Sequence, residues 1–95
     1  MALARVVGFE NVDDDNVARI RQNIESGEMP EGMPSAEFFL LHDSSADKAL
    51  AVVIVESEDD YRRVDEILGG MPADDTPGRR TSVTKYVVAA RASST

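Results

Sequence analysis

His42 is the only histidine in the chain, and it stands between two apolar runs in "FFLLHDSSADKALAVVIV". An imidazole with an ordinary pKa near ~6.5 can take a proton from a phenol at neutral pH, so His42 is a candidate general base. It can equally be a strand-end residue whose ring bonds a loop carbonyl or Asp43. Tyr86 is the second catalytic candidate. Asn11, Tyr61, Met29 and Met33 are candidates for a ligand pocket, since tyrosine offers an apolar ring with a polar tip and methionine adapts to varied shapes. Each also has a plain structural reading: Tyr61 as core with its hydroxyl at the rim, Asn11 as a turn residue, the methionines as loop anchors. No metal site is expected. The chain has no cysteine and no second histidine, and Asp13, Asp14 and Asp15 suit a helix N-terminus without any cation. Neither a glycine-rich phosphate loop nor a serine or cysteine nucleophile motif is present.

The elements that must position these residues follow from hydropathy spacing. "LARVVGF" (Leu3 to Phe9) reads as a strand. Val17, Ile20 and Ile24 then recur at helical spacing, with Asp13 or Asp14 placed to cap the helix and Gly27 to end it. Pro30 and Pro34 mark "EMPEGMPSA" as a loop. Glu37 to Asp43 and Lys48 to Glu56 are strands joined by "SSAD", a connection of hairpin length. "SEDDYRRVDEILGGMP" is a second helix. Ser57 is its cap, Tyr61, Val64, Leu68 and Met71 form its apolar stripe with Ile67 beside it, and Asp59 and Arg63 form a supporting pair. Turn residues "ADDTPGRR" lead to a last strand from about Thr81 to Ala90.

The order βαββαβ predicts an α+β, ferredoxin-like fold in one domain spanning residues 1–95. Its four-stranded antiparallel sheet carries both helices on one face, with the second and fourth strands at the edges. A four-residue "SSAD" loop pairs His42 with Ala49, Leu40 with Ala51 and Phe38 with Val53. One sheet face then holds Phe38, Leu40, His42, Ala51, Val53 and Val55; the other holds Phe39, Leu41, Leu50, Val52 and Ile54. Both are apolar, whereas a sheet covered on one side alternates apolar with polar. The second face needs a cover, and a second copy of the chain is the economical one.

The chain has 95 residues and a net charge of -8, which disfavours nucleic-acid partners. No stretch reads as a signal peptide or membrane span, so neither membrane nor export is expected and a cytoplasmic setting fits. Every side chain after Asp75 that is charged at neutral pH is basic: Arg79, Arg80, Lys85 and Arg91. These either complement the acidic residues of the same chain or form an anion-binding edge.

"VVGFE", "PEGMPSAEFFLLHD", "AVVIVESEDDYRRV" and "GRRTSVTKYVVAA", in this order of elements, resemble the dimeric α+β barrel superfamily. Within it they are similar to the antibiotic biosynthesis monooxygenase-like group, in its small actinobacterial form. The resemblance implies a homodimer with two sheets face to face. It also implies a small apolar or aromatic ligand between sheet and helices, and no cofactor. Members of the group include cofactor-independent monooxygenases acting on polyphenolic aromatics, haem-degrading proteins, and proteins without assigned activity. The absence of tryptophan and the strand position of His42 argue against haem degradation. The oxygenase reading would use His42, Tyr61, Tyr86 and Asn11 around the pocket; a non-catalytic structural or regulatory dimer is the remaining reading.

Overall fold

The computed structural model describes residues 1–27, 29, 31–70 and 78–94. Strand β1 (Leu3–Glu10) leads to helix α1 (Asp14–Glu25), strands β2 (Glu37–Asp43) and β3 (Lys48–Val55), helix α2 (Glu58–Gly69) and strand β4 (Arg79–Val87). The sheet order is β2-β3-β1-β4, antiparallel throughout, so β2 and β4 are the edges as expected. The last strand begins two residues earlier and ends sooner than its composition suggests. Met71 of the expected α2 stripe, Pro72 and residues 73–77 of the expected turn lie outside the described residues, as does Pro30.

Local chemistry sets the element ends. Asp13 caps α1 through a 2.7 Å bond accepted from the Asn16 amide, and Gly27 follows the helix at a φ of 74° that costs glycine no Cβ clash. Ser57 caps α2 by accepting from the Asp60 amide at 3.1 Å. The expected Asp59–Arg63 pair is replaced by Asp59–Arg62 at 3.7 Å. Three residues on a helix lie on the same side as well as four do, and the energy at such exposed positions differs little.

The β2–β3 register is the one the four-residue turn implies: His42 opposite Ala49, Leu40 opposite Ala51, Phe38 opposite Val53. Those residues face the helices with Leu3, Arg5, Val7 and Phe9 of β1. Two core clusters result. Leu3, Val53, Val55 and Val64 form one, with Met33, Phe38, Tyr61 and Leu68 packed against it. Val7, Phe9, Val12 and Ala49 form the other, with Val17 and Leu40 alongside. Helix α2 lies against β1 and contributes the fully buried Val64, whereas α1 lies against β2 and buries no residue completely.

The opposite face has no element over it among the described residues. Phe39 (43% exposed), Leu41 (52%), Leu50 (43%) and Tyr86 (54%) stand on it with the half-buried Val52 and Ile54. Beyond β4 the chain continues past the end of the sheet. The Val88 amide donates to the Ala2 carbonyl at 2.9 Å, and Arg91 pairs with Glu37 and, at 3.1 Å, with Glu56. The first extended residues after β4 are thus tied to the far ends of β2 and β3.

Candidate functional site

On the helix side, a polar seam interrupts the apolar core. Arg5 is 4% exposed, the one buried charged residue among those described, and its Nε donates to Asp65 Oδ1 at 2.9 Å. Directly across the β1–β4 ladder from Arg5 is Lys85. Its Nζ lies 2.6 Å from Glu58 Oε2 and 4.9 Å from the centre of the Tyr61 ring, a cation–π distance. Glu58, Tyr61 and Asp65 fall at i, i+3 and i+7 on α2, so one stripe of the helix meets both cations. Burial pushes the Tyr61 phenol above its usual 10.0, and the Asp65 carboxylate adds to the rise while Arg5 and Lys85 oppose it.

His42 is on the same face but at the opposite edge, on β2. Its Nε2 is buried and meets no hydrogen-bond partner among the described residues. Such an atom costs free energy unless something accompanies it. The neighbouring Asp43 carboxylate turns the other way, accepting from Ser45 Oγ at 2.7 Å and Ser45 N at 3.1 Å. These bonds, the hydroxyl one foremost, hold the Asp43 carboxyl below its usual 3.8.

The remaining candidates scatter. Tyr86 pairs with Ala4 in register and therefore lies on the open face, so within one chain His42 and Tyr86 sit on opposite faces and opposite edges of the sheet. Asn11 is exposed in the turn between β1 and α1 with a φ of 57°, a left-handed conformation that asparagine tolerates. Met33 packs on the first core cluster, as Tyr61 does, while Met29 is 40% exposed. Only Tyr61 and Met33 of the six are brought to one cluster. Arg5 is the residue sequence reasoning passed over. The signal was present: in "LARVVGF" it occupies a place in the Leu3, Val7, Phe9 alternation where an apolar side chain is expected.

The basic C-terminal segment is largely consumed within the chain. Arg79 meets Glu10 at 2.6 Å, Lys85 meets Glu58, and Arg91 meets Glu37 and Glu56. Intramolecular complementarity is thus the observed arrangement. No group of three or more His, Asp or Glu among the described residues is placed to hold a metal ion, and no described helix is long and apolar enough to cross a membrane.

On the open face, at the end of the sheet near the β2–β3 turn, a groove of about 450 Å³ crosses all four strands. Leu41, Leu50 and Gly8 line its apolar part; Thr81 and Ser82 bound it on the β4 side, and Asp43 and Lys48 stand at its end.

No protein-family model matches the sequence, and no curated protein matches it. In three dimensions the chain is similar to a Chloroflexus aurantiacus protein provisionally named an antibiotic biosynthesis monooxygenase. The TM-score is 0.62, with 98% of each chain covered and 8% of residues identical. The chain has that protein's fold. The ferredoxin-like order expected from the sequence, and the antibiotic biosynthesis monooxygenase-like fold that its motifs resemble, are accordingly the ones observed. At this identity the likeness extends to the fold and leaves residue roles to the chain's own geometry.

Proposed function

We propose that this chain works as a homodimer joined through its open sheet face, with a small apolar or aromatic molecule held between the sheet and the helices. The observation that carries the dimer is the uncovered set Phe39, Leu41, Leu50, Val52, Ile54 and Tyr86 on one face. Four strands ~4.8 Å apart and about seven residues long span roughly 500 Å² in projection. The corrugated side-chain surface is larger, which brings it near the ~800 Å² per partner of a stable interface. The rim carries both signs, Asp43 and Lys48, so a twofold contact need not bring like charges together there. Support for the ligand comes from the helix side: the unaccompanied His42 Nε2, a helix α1 with no fully buried residue, and the Arg5–Tyr61 seam.

Sedimentation at micromolar concentration tests the dimer. The expected particle has twice the chain mass of 10.3 kDa, and Phe39→Lys with Leu41→Lys returns it to one. A monomer throughout the micromolar range in the unmodified protein removes the proposal.

A second reading, cofactor-independent monooxygenase, is favoured by the fold shared with the Chloroflexus aurantiacus protein. In it His42 Nε2 accepts the phenolic proton of an electron-rich aromatic substrate and Tyr61 lies beside the substrate, while Tyr86, on the opposite sheet face, takes no part. Oxygen uptake with a panel of anthrones and hydroquinones is then expected, falling about a hundredfold or more in His42→Ala, the lower range for loss of a general base. No uptake across the panel leaves the non-catalytic dimer.

A further inference from the structure

On the open face the space over Gly8 is taken up by side chains of the neighbouring strands. This residue lies on central strand β1, opposite Leu50 of β3 and Ser82 of β4. A β-carbon built there would stand 2.7 Å from Ser82 Oγ, 3.1 Å from Thr81 Oγ1 and 3.9 Å from Leu50 Cδ2. Two hydroxyl oxygens therefore converge over bare backbone beside a leucine methyl.

A register shift produces this convergence. Gly8 pairs with Ser82 but Phe9 pairs with Arg80, which leaves Thr81 as the extra residue of a β-bulge. Bulges re-aim side chains, and here the second hydroxyl arrives on the same face as the first. Neither hydroxyl has a hydrogen-bond partner among the described residues. A glycine in a strand interior weakens the strand and commonly marks a bulge or a close approach by another molecule; this glycine is at a bulge and at the floor of the 450 Å³ groove.

We propose that the groove over Gly8 is a second binding site, on the sheet face away from the helices, for a small, flat, mainly apolar molecule carrying one hydrogen-bonding oxygen. Its volume falls within the ~300–1,000 Å³ of small-molecule sites, which are mostly apolar with a few converging polar groups. A ring lying in the groove beside the two hydroxyls contacts Leu50 and Leu41 along its body. Its oxygen meets Thr81 Oγ1 and Ser82 Oγ, each able to donate or accept. A larger residue than glycine would collide with the Ser82 and Thr81 hydroxyls and push them out of the groove wall. A second copy on the open face would roof the groove. The site is independent of the helix-side ligand, so the two stand or fall separately.

Amide-resolved titration of the isotope-labelled full chain with naphthol tests this. Saturable shifts are expected at Gly8, Leu41, Leu50 and Ser82. Affinity is expected to fall about tenfold in Thr81→Val with Ser82→Ala, the loss of up to two neutral hydrogen bonds on an exposed edge strand that keeps its shape. Tyr86 is the one phenol that another copy could insert instead, so Tyr86→Ala is titrated alongside. The proposal is overturned by no saturable shift in the groove at millimolar naphthol, by shifts confined to Arg5, Tyr61 and Val64, or by equal affinity in the hydroxyl-free variant. It is also overturned if Tyr86→Ala alone moves the Gly8 and Ser82 amides and is needed for naphthol to enter, because the resident is then the partner's Tyr86.

Discussion

The Arg5 guanidinium is buried beneath α2 and its Nε is held by Asp65 Oδ1 at 2.9 Å, across a sequence separation of 60 residues. This bond ties the central strand to the second helix in a region otherwise sealed by Leu3, Val53 and Val64. Asp65→Ala leaves a buried cation without its partner. The expected loss is about 1–3 kcal/mol, below that of a fully buried pair because the carboxylate side chain is half exposed. Adding Arg5→Met removes the stranded charge and is expected to recover most of the loss, as urea denaturation of the single and double variants will measure. Equal stability of Asp65→Ala and the unmodified chain would show that water already compensates Arg5.

Tyr61 reports on the same seam. Its phenol is raised first by burial and next by Asp65, so Asp65→Asn is expected to lower its titration midpoint toward 10.0, read by tyrosinate absorbance in a Tyr86→Phe background. The sign for stability follows. A folded pKa above the unfolded one means that the contribution is complete below the unfolded value and is lost as pH rises through the folded value. The alkaline limb of the stability profile should therefore move in Tyr61→Phe, while the neutral region stays flat.

Asp43 gives the acid counterpart. Its carboxyl is held below 3.8 chiefly by the Ser45 hydroxyl, with the Ser45 and Ala46 amides assisting. A depressed folded pKa means that the contribution is present above the unfolded value and is lost as pH falls through the folded one. Ser45→Ala should return the Asp43 midpoint toward 3.8 in a carboxyl-detected titration. An unchanged midpoint would assign the depression to the backbone amides instead.

Which parts of this were legible beforehand is decided by sequence distance and parity. The four-residue "SSAD" turn sets the pairing of His42 with Ala49, because a side-chain period of two leaves no freedom once loop length is known. The same parity put Phe38, Leu40 and His42 on one face without saying which face met the helices, since both sets are apolar. The helix caps at Asp13 and Ser57 were legible because their partners are three residues away. The Arg5–Asp65 bond was not, because no local pattern links residues 60 apart. The separation of His42 from Tyr86 was hidden for a related reason: the face of a β4 residue depends on its register with β1, and that ladder contains a bulge.

The two helices are seated unequally, and stability should reveal it. Val64 of α2 is 1% exposed and belongs to the first core cluster, so Val64→Ala loses two methyls and leaves a cavity, at a cost of about 2–3 kcal/mol. Ile20 and Ile24 of α1 are only half-buried, and no residue of that helix is buried outright. Despite its larger side chain, Ile20→Ala is therefore expected to cost less, about 1 kcal/mol. Denaturant midpoints compare the two, and native-state amide exchange should find α1 opening at lower free energy than α2. If Ile20→Ala proves as costly as Val64→Ala, α1 is clamped in solution by contacts beyond the described residues. The ligand proposed between the sheet and the helices would supply them, since the proposed dimer covers the other face of the sheet.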